Sequence, residues 1–86
     1  LALLACGDQR ADEAILFFQK ANFSARQSEP REAIRLYGEA IEKKPDFADA
    51  YNNRGLIFQK LGDLEKALAD FTRALELDPD YWEAYF

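Results

Sequence analysis

The sequence predicts an all-α fold, an α-solenoid of stacked antiparallel helix-turn-helix repeats, and three observations carry that prediction. Unlike residues recur 34 positions apart: Ala33/Ala67, Tyr37/Phe71, Ala40/Ala74 and Pro45/Pro79, with Asp46/Asp80 and Phe47/Tyr81 in step. A period of that length belongs to stacked helical hairpins. Between the recurring prolines the apolar residues keep helical spacing. Small residues, Ala21 and Gly55 in one set of helices and Ala33, Ala40, Ala67 and Ala74 in the other, stand where helix axes must approach closely. A hairpin of this kind cannot bury its apolar side alone and stacks on its neighbours, which points to binding rather than catalysis.

The elements follow in order. Asp12 to Arg26 reads as the first helix, with Phe17, Ala21 and Ser24 at the positions later held by Tyr51, Gly55 and Phe58. Pro30 to Lys43 is the second. It places Ala33, Ile34, Tyr37, Ala40 and Ile41 on one stripe, with Arg31, Glu32, Arg35, Glu39 and Glu42 on other faces. Pro30 suits a first helical turn, and Ser28 and Glu29 lie where capping oxygens are useful. Pro45 ends that helix; Asp46 can cap the next, and Asp49 favours the positive end of its dipole. The third helix runs from Phe47 to Leu61. Gly62 and Asp63 then supply a stop and a cap for a fourth over Leu64 to Leu77, whose buried face is predicted to be Leu64, Ala67, Leu68, Phe71, Ala74 and Leu75. Asp80 to Tyr85 repeats the chemistry of Asp46 to Tyr51, so a third repeat begins at residues 82–86. With no methionine and a last residue inside the start of a helix, the chain reads as a piece of a longer protein.

Composition excludes several classes of function. Sixteen acids against eleven bases give a net charge of −5, which opposes nucleic-acid binding because that affinity rests on neutralising phosphates. One cysteine permits no internal disulfide, and the absence of histidine leaves no His/Cys metal cluster. No cofactor is implied. No apolar run approaches the ~20 residues of a membrane-spanning helix. The acidic pairs Asp63/Glu65 and Glu76/Asp78 are simpler as caps and surface charges than as acid–base pairs, so no enzyme is expected.

Tyr51, Gly55, Phe58, Gly62, Ala67, Phe71, Ala74 and Pro79 together resemble the signature of the tetratricopeptide repeat family, with Arg54 in a usually apolar slot. A looser copy precedes it. That copy keeps Phe17, Ala21, Ala33, Tyr37, Ala40 and Pro45 but has Lys20 and Ser24 in usually apolar slots and Ser28 where the turn glycine normally stands. The two repeats span residues 14–47 and 48–81. The resemblance implies a right-handed superhelix whose first helices line a concave groove for peptides or partner proteins. By that register the groove residues are Ile15, Phe18 and Asn22, then Asp49, Asn52, Asn53 and Leu56; the alternative is that these simply form solvent-exposed helix faces. Some family members clamp a chaperone's C-terminal carboxylate with a Lys, Asn, Asn, Lys, Arg set. Asn22 and Asn53 match the two asparagines, but Phe18 and Glu83 replace the lysines, so a carboxylate would lack its cations and chaperone-tail binding is not expected.

Residues 1–7, Leu-Ala-Leu-Leu-Ala-Cys-Gly, resemble the end of a bacterial lipoprotein signal, with a small residue before Cys6 and a thiol to accept the lipid. That implies an envelope-anchored protein facing the periplasm; without the signal a cytoplasmic one is expected. The alternative is that Leu3 and Cys6, 34 residues before Tyr37 and Ala40, end the second helix of a preceding repeat. The function expected is a protein-interaction scaffold. A structural module that self-associates through Tyr81, Trp82, Tyr85 and Phe86 is the competing class.

Overall fold

The computed structural model describes the backbone of residues 2–80 and the side chains of residues 9–80. Four helices appear among the described residues: α1 (Ala2–Arg26), α2 (Pro30–Lys43), α3 (Ala48–Lys60) and α4 (Leu64–Leu77). They form an all-α helical-repeat solenoid, in which α1 packs on α2, α2 on α3, and α3 on α4. Arg10 donates to the Glu42 carbonyl at 3.1 Å and Lys43 pairs with Glu13 at 3.5 Å, while Asn22 meets Tyr37 near the other end. The first hairpin is therefore antiparallel.

Both hairpin turns use the same hydrogen bonds. Glu29 N donates to the Ser24 carbonyl at 2.9 Å, and Asp63 N donates to the Phe58 carbonyl at 2.9 Å. This six-to-one bond satisfies a helix-end carbonyl and needs a left-handed residue between. Ser28 supplies it at φ 60° and Gly62 at φ 85°. Asp63 then caps α4, its side chain accepting from Lys66 N at 3.4 Å.

Ala14, Ala21, Ala33, Leu36, Tyr37, Ala40, Phe47, Ala50 and Ile57 form one buried cluster spanning α1, α2 and α3. Ala67 and Ala74 are buried in the second hairpin. The small residues do what their spacing suggests. A Cβ on Gly55 would lie 2.7 and 2.9 Å from Phe71 ring carbons, so only a glycine lets α3 and α4 approach this closely at that ring.

Four expectations are corrected. First, α1 begins ten residues before Asp12, because leucine and alanine favour the helix and no proline interrupts it. Its backbone is continuous through residues 7–11, so no turn separates Leu3 and Cys6 from the first repeat as a preceding hairpin would require. Second, Leu64 and Leu68 are 65% and 59% exposed rather than buried, because no described helix covers that face of α4. Third, the residue capping α3 is Phe47, not Asp46, and it makes no side-chain cap bond. Fourth, Glu29 caps α2 likewise without a side-chain bond, so both helices begin on backbone geometry and packing. The third-repeat stub at 82–86, its aromatic residues and the Cys6 thiol lie outside the described residues.

Candidate interaction groove

α1 and α3 lie side by side in the same direction, and three cross-helix points define what they enclose. At one end the Phe18 ring packs 4.8 Å from the Phe47 ring and 5.8 Å from that of Tyr37. In the middle, Asn53 Nδ2 donates to Asn22 Oδ1 at 3.1 Å. The Tyr37 hydroxyl, rising from α2, donates to the same oxygen. At the far end stand Arg26 and Lys60, the last residues of α1 and α3.

Burial pushes the Tyr37 phenol above its ordinary range, opposed by the neighbouring Asn53 amide and the positive charge of Arg26. The hydroxyl therefore remains a protonated donor and ties α2 to the floor between the two helices. Asn52 Nδ2 reaches Asn53 Oδ1 at 3.5 Å, the limit of a hydrogen bond, while its buried Oδ1 has no donor among the described residues.

Over this floor lies a cavity of about 250 Å³, lined by Asn22, Tyr37, Asn53 and Leu56 with Arg26 and Lys60 at its edge. A second cavity of about 290 Å³ adjoins it at Lys60. Ala25, Pro30, Ile57 and Leu61 give it an apolar lining.

Of the residues expected to face a partner, Asn22, Asn53 and Leu56 come together around the first cavity. Ile15 and Asp49 are exposed but do not line it. Phe18 is half-buried against the core cluster. Arg26, Lys60 and Tyr37 were absent from the expected groove set. The sequence carries a signal for the first two, since they are 34 residues apart on equivalent helix ends; for Tyr37 it shows only a packing position, because nothing in it reveals a partner for the hydroxyl.

Of the four acids considered for catalysis, Glu65 is exposed in the first turn of α4 and the other three are otherwise engaged. Asp63 caps α4 and approaches Lys66 Nζ at 3.7 Å, Glu76 pairs with Arg73 at 3.3 Å, and Asp78 Oδ1 accepts from Asp80 N at 3.1 Å. Among the described residues no cluster of three or more metal-ligating side chains occurs, and no helix is long and apolar enough to cross a membrane.

Two family profiles match, one described as a tetratricopeptide repeat over residues 48–81 and one as a TPR repeat over residues 27–62. The chain belongs to the tetratricopeptide repeat family. Similar curated proteins include Hsp70-Hsp90 organizing protein 3 of Arabidopsis thaliana, 36% identical over 67 residues, which are 78% of this chain and 12% of that protein. Another is the UDP-N-acetylglucosamine–peptide N-acetylglucosaminyltransferase of Giardia intestinalis, 36% identical over 80% of this chain and 5% of its own length. The tetratricopeptide segment thus spans only a small part of these relatives. Among solved structures, the Arabidopsis OM64 TPR domain superposes with a TM-score of 0.86 at 26% identity, over 88% of this chain and 63% of that one. The MamA crystal structure superposes at 0.83 and 25% identity, over 85% and 43%.

Proposed function

We propose that this tetratricopeptide segment is a protein-interaction scaffold that binds a peptide of its partner along the α1–α3 groove. One observation carries the reading: the cavity over Asn22, Tyr37 and Asn53, with the exposed Leu56 beside it, offers amides and an apolar contact on a braced floor. Relatives whose names describe organizing Hsp70 and Hsp90 support a scaffold role. Selecting a displayed random-peptide library on the chain tests it. Binders that saturate and are lost on Leu56→Ala or Asn53→Ala are expected; a library yielding only binders indifferent to both would remove the groove from the account.

A second reading has its own observation. Leu16 and Phe23 on α1 and Leu64 and Leu68 on α4 are exposed at opposite ends of the helix stack, which suits pairing with a second copy of the chain. Sedimentation across a concentration series separates the two, since a mass that rises with concentration and falls back on Leu68→Glu belongs to self-association. Lipid anchoring at Cys6 rests on residues 1–7 of the sequence alone, and the two curated relatives named above, from Giardia and Arabidopsis, lend it nothing. Mass spectrometry of the protein expressed in bacteria with its upstream sequence would read a diacylated Cys6 directly.

A further inference from the structure

We infer that the groove selects, from an extended partner peptide, an acidic side chain followed by an apolar one, the acid held between Arg26 and Lys60 and the apolar group seated in the adjoining cavity. The inference rests on the peptide-binding reading and names its chemistry.

The first observation is a local reversal of charge. The chain carries a net charge of −5, yet among the described residues no Asp or Glu lines either cavity, while Arg26 and Lys60 border the first from neighbouring helices. Both are exposed, and among the described residues neither makes an ion pair. Arg10, Lys20, Arg31 and Lys44 make none either, but none of those four lines either cavity, so it is the cavity between them that sets Arg26 and Lys60 apart. A base in the last turn also complements the helix dipole, but that role needs no cavity beside it. Arg26 shares the lining of the first cavity with Tyr37, so it stands beside the groove as well as at the helix end.

The second observation is the neutral lining. Asn22 accepts both of its hydrogen bonds on Oδ1, from Tyr37 and Asn53, which leaves its amide N–H groups to donate to a carboxylate. Two cations and an amide form a donor set for an anion. Lys60 also borders the apolar cavity of Ala25, Pro30, Ile57 and Leu61, so the side chain next to the acid meets hydrocarbon. The field is local, so an acidic segment binds despite the overall charge, provided salt does not screen the pair.

The test is an NMR titration of the labelled chain with three acetylated, amidated hexapeptides, Ser-Gly-Glu-Leu-Gly-Ser and its versions with Gln or Lys in place of Glu. Amidation removes the terminal carboxylate, so only the side chain can supply the charge. The glutamate peptide is expected to shift Asn22, Asn53 and Ile57 amides saturably and to bind about tenfold more tightly than the glutamine peptide. Arg26→Gln and Lys60→Gln should each weaken the glutamate peptide about fivefold and leave the glutamine peptide unchanged, while Arg31→Gln on the α2 surface changes neither. A lysine peptide binding as tightly as the glutamate one, or an unchanged affinity in the Arg26 and Lys60 variants, overturns the inference and leaves the groove a binding surface. No groove shift with any peptide overturns it too; groove-dependent binders from the library would then preserve the peptide-binding reading, and a barren library would end both.

Discussion

The two hairpins share a register and differ in how they fill it. In the first, position 36 is a leucine buried in the apolar cluster, and Lys20 lies exposed with its ammonium 5.8 Å from the Phe17 ring centre. In the second, the equivalent positions are Asp70 and Arg54. Asp70 is only 5% exposed and takes two bonds of 2.8 Å from the Arg54 guanidinium, which in turn lies 5.5 Å from the Tyr51 ring and 6.0 Å from that of Phe58. The second hairpin thus holds a buried acid where the first holds a buried leucine, and the facing helix supplies the base that pairs with it. The repeat thus demands small residues at the helix crossings and an aromatic between hairpins, and is permissive about what links the two helices otherwise. The aromatics differ as well: Tyr37 is covered by α1 and α3 and 2% exposed, whereas Phe71 is half-buried over Gly55.

The largest effect should come from that aromatic contrast. Tyr37→Ala removes the largest fully buried side chain among the described residues and should cost about 4 kcal/mol in urea unfolding, enough to leave a chain this small largely unfolded. Phe71→Ala, at the half-buried equivalent, should cost about half as much; equal losses would mean the hairpins depend on their aromatics alike. The Tyr37 phenol adds a pH signature. Its pKa is raised in the folded state, so the stabilisation is present below the ordinary value of 10.0 and lost as pH rises through the higher folded value. Tyr37→Phe should flatten that alkaline loss relative to the parent.

Next in size is the ion pair. Asp70→Ala should cost about 2 to 3 kcal/mol, less than for a fully buried pair because Arg54 keeps some solvent. The joint change of Arg54→Leu with Asp70→Leu should recover most of that loss, since an apolar pair of similar volume often replaces a buried ion pair without penalty. A double variant as unstable as the single would show that the second hairpin cannot use the apolar packing of the first. Gly55→Ala should cost about 2 kcal/mol through the Phe71 clash, whereas Gly38→Ala, with 3.8 Å to its nearest neighbour, should gain up to about 1 kcal/mol from helix propensity.

Much of this was legible because repeats announce themselves twice. The 34-residue recurrence located α2, α3 and α4 to within a residue, since prolines, Gly62 and Asp63 punctuate their ends. The start of α1 carried no such punctuation, and periodicity alone could not extend it. Leu64 and Leu68 looked buried because a helical stripe records which face is apolar, not whether another helix covers it. Asn22, Asn53 and Leu56 were readable from register, yet the bond from Tyr37 that braces the floor joins α2 to α1 across 15 residues, and nothing in either segment alone suggests it. The Arg54–Asp70 pair was visible only as an oddity in an apolar slot, since its compensation lies on the facing helix.

The smallest predicted effect concerns the turns, where the hairpins are closest to identical. Ser28 and Gly62 occupy the same left-handed position and serve the same six-to-one hydrogen bond, but only Gly62 does so without a Cβ penalty. Ser28→Gly should therefore stabilise the chain by about 0.5 to 1 kcal/mol, the relief of backbone strain outweighing the added freedom of glycine in the unfolded state. Gly62→Ser should do the reverse by a similar amount; a Cβ there meets nothing within 4 Å, so the whole cost is backbone conformation. Paired thermal melts read both. If Ser28→Gly instead destabilises, the serine side chain contributes to the first turn beyond its backbone angle, and the two turns are alike in geometry but not in what holds them.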